Sequence, residues 1–124
     1  MTGTVETNSG TPDIETMRET IDELLDADAV PETLPPSADE LADVTSLLRG
    51  YLDALMPVVE HAAARLPRNS VARYCALACV GDARQKLQLQ PSPAPGGDLA
   101  YARRLARALN ALCDDYDKLR QATP

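Results

Sequence analysis

Apolar residues recur at steps of three and four in four separate stretches of the chain, and each stretch reads as an amphipathic helix. In the first, Ile14, Met17, Ile21, Leu24 and Leu25 form one stripe among Asp13, Glu15, Glu19, Asp22, Glu23 and Asp26. The spacing predicts a helix over about 12–28, opened by the Thr11 hydroxyl and by Pro12, whose missing N–H costs nothing in a first turn. Residues 29–37, AVPETLPPS, contain three prolines and read as a semi-rigid linker.

Ser37 and Glu40 then have the spacing of a capping box, immediately before a long apolar series: Leu41, Val44, Leu48, Tyr51, Leu52, Leu55, Val59, Ala62, Ala63 and Leu66. A second helix is expected over 38–66. Pro57 lies inside it and should bend or split it, because proline lacks an amide donor and crowds the carbonyl four residues earlier, that of Asp53. The tetrad PRNS at 67–70 is a turn in which Asn69 or Ser70 caps a third helix over 71–89. Its middle, YCALACV at 74–80, is apolar on nearly every side, as expected of a helix sandwiched between others, so this helix is assigned to the centre. PSPAPGG at 91–97 is a second connection rich in Pro and Gly.

Asp98 is expected to cap a fourth helix over 99–121, where Leu99, Ala102, Leu105, Ala106, Leu109, Leu112, Cys113, Tyr116 and Leu119 keep a near-heptad rhythm. The fold class that follows is all-α: a small antiparallel helical bundle of three core helices plus an N-terminal amphipathic helix. Residues 1–10, MTGTVETNSG, form a polar, disordered N-terminus, and 11–124 form one domain. Whether the first helix docks on the bundle is left open by the proline-rich linker.

Charge divides the chain. Residues 1–60 hold fourteen acids against Arg18 and Arg49, and residues 61–124 hold five acids against ten bases, which together give the net charge of -7. Such a division points to halves that neutralise each other or to a half held for a partner. The acidic balance argues against broad attraction to nucleic acid or anionic lipid. No apolar run is long enough to span a bilayer, and no secretion signal is evident. Three cysteines do not complete a disulfide framework, so a cytoplasmic protein without membrane association is expected.

Four soft ligands could converge on a metal: Cys75 and Cys79, one turn apart on the third helix, Cys113 on the fourth and His61 near the end of the second. Core packing is the simpler reading for the cysteines, because small thiols are among the most buried side chains. His61 follows Glu60 directly, and adjacent helical residues point about 100° apart, so the two do not make an oriented general base. The zinc-protease, nucleophile-elbow and phosphate-loop motifs are all missing, and no cofactor is expected. Gly50 and Gly81 inside helices suggest close packing, or a crevice for a ligand.

The arginines are the stronger lead. Arg103, Arg104 and Arg107 lie near the positive end of the fourth helix while Asp114, Asp115 and Asp117 lie near its negative end, the reverse of what the helix dipole favours. With Arg73 and Arg84, and with Arg65, Arg68 and Lys86 nearby in sequence, they make a candidate partner-binding face. A plain solvated face, or one neutralised by the acidic first helix, is the alternative.

LLRGYLDALMPVVEHAAARLP, NSVARYCALACVGDARQKL and YARRLARALNALCDDY together resemble a family of small actinobacterial proteins with a domain of unknown function, often labelled natural product biosynthesis proteins. The resemblance covers roughly residues 37–116. It implies a setting in secondary metabolism and carries no site residue. The expected function is a non-catalytic adaptor or regulator with a protein partner; a homodimer through an exposed stripe is one form this could take. The alternatives are a metal or thiol redox sensor and a nucleic-acid-binding regulator masked by the acidic first helix.

Overall fold

The computed structural model describes residues 13–26 and 37–122, and among them it forms four helices and no strand. These are α1 (Ile14–Asp26), α2 (Ala38–Ala64), α3 (Val71–Leu87) and α4 (Gly97–Ala122), packed as an all-α bundle. The expected N-terminal cap Thr11 with Pro12, the polar residues 1–10 and linker residues 29–36 lie outside the described residues. Asp13 opens α1 instead, its carboxylate accepting from the Thr16 amide at 3.1 Å and from the Thr16 hydroxyl at 2.6 Å. Those bonds, the hydroxyl first, hold the Asp13 carboxyl below its ordinary pKa.

The capping box at the start of α2 is complete: the Glu40 amide donates to Ser37 and the Ser37 amide donates to the Glu40 carboxylate. Pro57 does not split α2, which runs unbroken to Ala64. Pro57 and Asp53 are both exposed, so the carbonyl deprived of its helical donor can turn to water. Ser70 caps α3 through the Arg73 amide. The fourth helix begins at Gly97 instead of after Asp98, which therefore sits in the first turn. Gly96 supplies the turn with a φ of 81°, and Gly97 is buried where any side chain would strike the Ser92 carbonyl.

The main correction concerns the centre of the molecule. It is α4, not α3, that packs against all three other helices. Leu105, Leu109, Leu112 and Cys113 are fully buried, and Ala102 and Ala106 between them let neighbouring backbones come close. Along α3 only Ala76, Val80 and Ala83 are buried. Its apolar middle consists largely of alanine and cysteine, which remove little area from water, so burying both sides would contribute less than burying the leucines of α4.

α3 runs antiparallel to α4, with the Tyr101 hydroxyl of early α4 donating to the Lys86 carbonyl at the end of α3 at 3.1 Å. Arg49 of α2 reaches the same end, donating to the Leu87 carbonyl at 2.9 Å while its guanidinium lies 5.6 Å from the Tyr101 ring centre. The C-terminal carbonyls of α3 are thus capped from two directions, where a cation also suits the helix dipole. Arg73 does the same for α2, donating to the Leu66 carbonyl at 2.9 Å.

α1 docks on α4 by burying Met17, Ile21 and Leu24. Arg18, the single base on this acidic helix, donates to Asn110 at 3.2 Å, Asp114 at 3.1 Å and Asp117 at 2.9 Å. Partial burial opposes its charge, but the bonds to Asp117 and Asp114 outweigh that and raise its pKa. The acids that oppose the dipole of α4 are therefore placed for Arg18.

Two outcomes follow from this packing. Leu109→Ala should lower unfolding free energy by about 2–5 kcal/mol, read from urea midpoints, because a fully buried leucine at the hub leaves a cavity. Arg18→Ala should cost only about 0.5–1 kcal/mol, since its partners are half exposed and screened. That loss should appear as faster hydrogen exchange confined to the amides of α1, with those of α2, α3 and α4 unchanged.

Candidate functional site

The residues expected to form one basic face fall into two groups. Arg73 is engaged with the Leu66 carbonyl, Arg84 pairs with Glu60 at 3.2 Å, and Lys86 pairs with Asp82 at 2.7 Å. Arg103 is half-buried on α4. Arg104 and Arg107 remain exposed, and so do Arg65 and Arg68 in the α2–α3 turn and Lys118 on α4. None of these five is held in an ion pair among the described residues. α1 does not bury Arg104 or Arg107: its arginine latch engages α4 further along, at Asn110, Asp114 and Asp117.

The apolar counterpart of these bases is the outer side of α3. Val71 is 76% exposed, Tyr74 is 75% exposed and Leu77 is 38% exposed. Cys75, Ala78 and Gly81 are exposed between and beside them, so from Val71 to Gly81 this side carries no charged side chain. Scattered surface apolar residues are ordinary; here they form one contiguous run along a single helix. A cue was present in the sequence: YCALACV is apolar on nearly every side, and the bundle covers only one side of it.

Gly50 and Gly81 contradict the expectation of close packing, because a methyl group built on either would meet nothing within 4 Å. No crevice lies at these glycines. Open hollows occur elsewhere, beneath the 91–97 connection, and the tighter of them has a volume of about 260 Å³. It is lined mainly by apolar groups such as Leu41, Pro91 and Tyr101, with Thr45 and Asp98 as its polar side chains, and it assembles no nucleophile with a base.

Nor do the proposed metal ligands converge. Cys75 is exposed, Cys79 is half-buried against α4, Cys113 is buried and His61 is exposed. Among the described residues no group of three or more His, Cys, Asp or Glu side chains could hold a metal ion. Burial, and then the adjacent Asp115 carboxylate, push the Cys79 thiol up to about 12. Burial likewise pushes the Cys113 thiol up to about 11. Both are therefore poor thiolate donors near neutral pH. Asp115 is 8% exposed, and its Oδ2 has no hydrogen-bond partner, a feature that sequence spacing did not signal.

Among the described residues the exposed features are an uncharged side of α3 and the bases around it. No helix among the described residues is long and apolar enough to cross a membrane. No curated protein and no solved structure matches the chain. One family model does, over residues 15–121, which takes in all but the first residue of α1, all of α2 and α3, and all but the last residue of α4. The chain belongs to this family, the family of unknown function DUF6415.

Proposed function

We infer that the chain is a non-catalytic helical adaptor or regulator that binds another protein through the outer side of α3. The observation that carries this reading is the uncharged surface from Val71 to Gly81, including a tyrosine three-quarters exposed, on a helix whose other side is packed. Tyrosine is a frequent anchor of interfaces because it brings large area at low conformational entropy cost. The five bases without ion pairs among the described residues would steer a partner and make its binding sensitive to salt. The resemblance noted in the sequence suggests that such a partner belongs to natural product biosynthesis. The expected compartment is the cytoplasm.

The test is affinity purification of the tagged chain from its native cell at low and high salt. A stoichiometric protein partner is expected at low salt, weakened at high salt, and lost from Tyr74→Glu with helicity unchanged by circular dichroism. Retention of the same partner by Tyr74→Glu would remove α3 from the reading. Arg104→Glu with Arg107→Glu should weaken capture less, because rim charges act mainly on the association rate.

Cys75 offers an internal reporter of the same surface. In the folded chain it should be the one thiol that reacts rapidly with a maleimide at pH 7, with Cys79 and Cys113 reacting only after denaturation. Attachment of a bulky maleimide there should block partner capture. Rapid labelling of Cys79 or Cys113 without denaturant would overturn this assignment.

A further inference from the structure

Resting on the protein-binding reading above, we propose that the outer side of α3 is a docking site for an acidic amphipathic helix of the partner, lying along Val71, Tyr74, Cys75, Ala78 and Gly81.

Charge selects the sign of that partner. Arg65 and Arg68 lie in the turn immediately before α3, and both are exposed and without an ion pair among the described residues. Lys118 is a further exposed base on α4, which packs antiparallel against α3 with Tyr101 beside Lys86 and Asp115 beside Cys79. The first turn of α3 contains no acid, so the positive end of its dipole is also uncompensated. The nearby acids are already engaged or enclosed: Asp82 with Lys86, Asp114 and Asp117 with Arg18, and Asp115 in the interior. Any segment lying here meets apolar surface bordered by positive potential.

Shape selects a helix. Cys75, Ala78 and Gly81 are small and recur at helical spacing, so they raise no bulk beside Tyr74. Gly81 has no reason within this fold, since nothing lies within 4 Å of an added methyl group and its φ is not positive. A glycine kept in an exposed helix at a cost in helix propensity is explained if another backbone comes close to it. The molecule already contains one such arrangement: α1, with five acids and one base, buries Met17, Ile21 and Leu24 on α4.

A second copy of this chain is the poorer occupant. α3 has 17 residues and is therefore about 25 Å long, and at a width of about 10 Å it offers roughly 250 Å² per side, against about 800 Å² per partner in a stable interface. An acidic helix is complementary in charge to the bases bordering this side, which a second copy presenting the same side is not.

The experiment uses the full chain and two labelled peptides of about 18 residues, identical in their leucine stripe, one with glutamate and one with lysine at the polar positions. Fluorescence anisotropy should show the glutamate peptide binding about tenfold or more tighter at low salt, with the preference shrinking as salt rises. Arg68→Glu with Lys118→Glu should abolish the preference. Gly81→Ala should melt at a higher temperature yet bind the glutamate peptide more weakly, which separates docking from folding. Equal binding of the two peptides, or a preference unchanged in the charge-reversed variant, would overturn the acidic-helix proposal. So would a salt-resistant dimer, seen by sedimentation and abolished by Tyr74→Glu. If the cellular partner is lost from Tyr74→Glu while the peptides show no charge preference, the protein-binding reading stands and the acidic helix falls. If Tyr74→Glu keeps that partner, both fall.

Discussion

Burial of α4 on three sides is the constraint on which the rest of the molecule depends, because α2, α3 and α1 each complete their own apolar surface against it. Leu105, Leu109 and Leu112 supply the area that drives assembly, and Ala102 and Ala106 set the spacing at which neighbours approach. A helix surrounded in this way has only a narrow strip left for solvent, and the exposed bases Arg104, Arg107 and Lys118 occupy it. Removing a leucine from this hub would leave a cavity in the shared core.

The charge division between the halves is settled locally. Arg18 and Arg49, the two bases of the acidic half, both reach across to the basic half: Arg18 to acids of α4 and Arg49 to the last carbonyl of α3. Asp114 and Asp117 oppose the dipole of their own helix because docking of α1 requires them there. Arg73 and Arg84 are likewise committed to the fold, leaving Arg65, Arg68, Arg104, Arg107 and Lys118 without ion pairs among the described residues. The apolar surface and the unpaired bases thus arise from one fact: the bundle uses one side of α3 and leaves the other.

Periodicity was enough to find the four helices, and capping chemistry placed several of their ends. The Ser37–Glu40 box and the Ser70 cap depend on side chains within three residues of the amides they serve, so local sequence carries the whole interaction. Errors appeared where the answer depended on a partner distant in sequence. Gly50 and Gly81, read as sites of close packing, face open space. Hydrophobicity averaged over YCALACV could not separate small residues that tolerate solvent from large ones that must leave it.

The site divides in the same way. Arg104 and Arg107 were visible in the sequence as candidates, but nothing local distinguished them from Arg73 and Arg84, which the fold consumes in caps and bridges. Fold class, element order and charge asymmetry follow from the sequence by itself, because they depend on periods of three to four residues and on a count of charges. Which helix occupies the centre, which arginines stay unpaired and which apolar side faces outward were decided only by tertiary packing. Those outcomes depend on competition among long-range partners, such as Arg18 with Asp117 and Arg49 with Leu87, whose geometry no sequence interval contains.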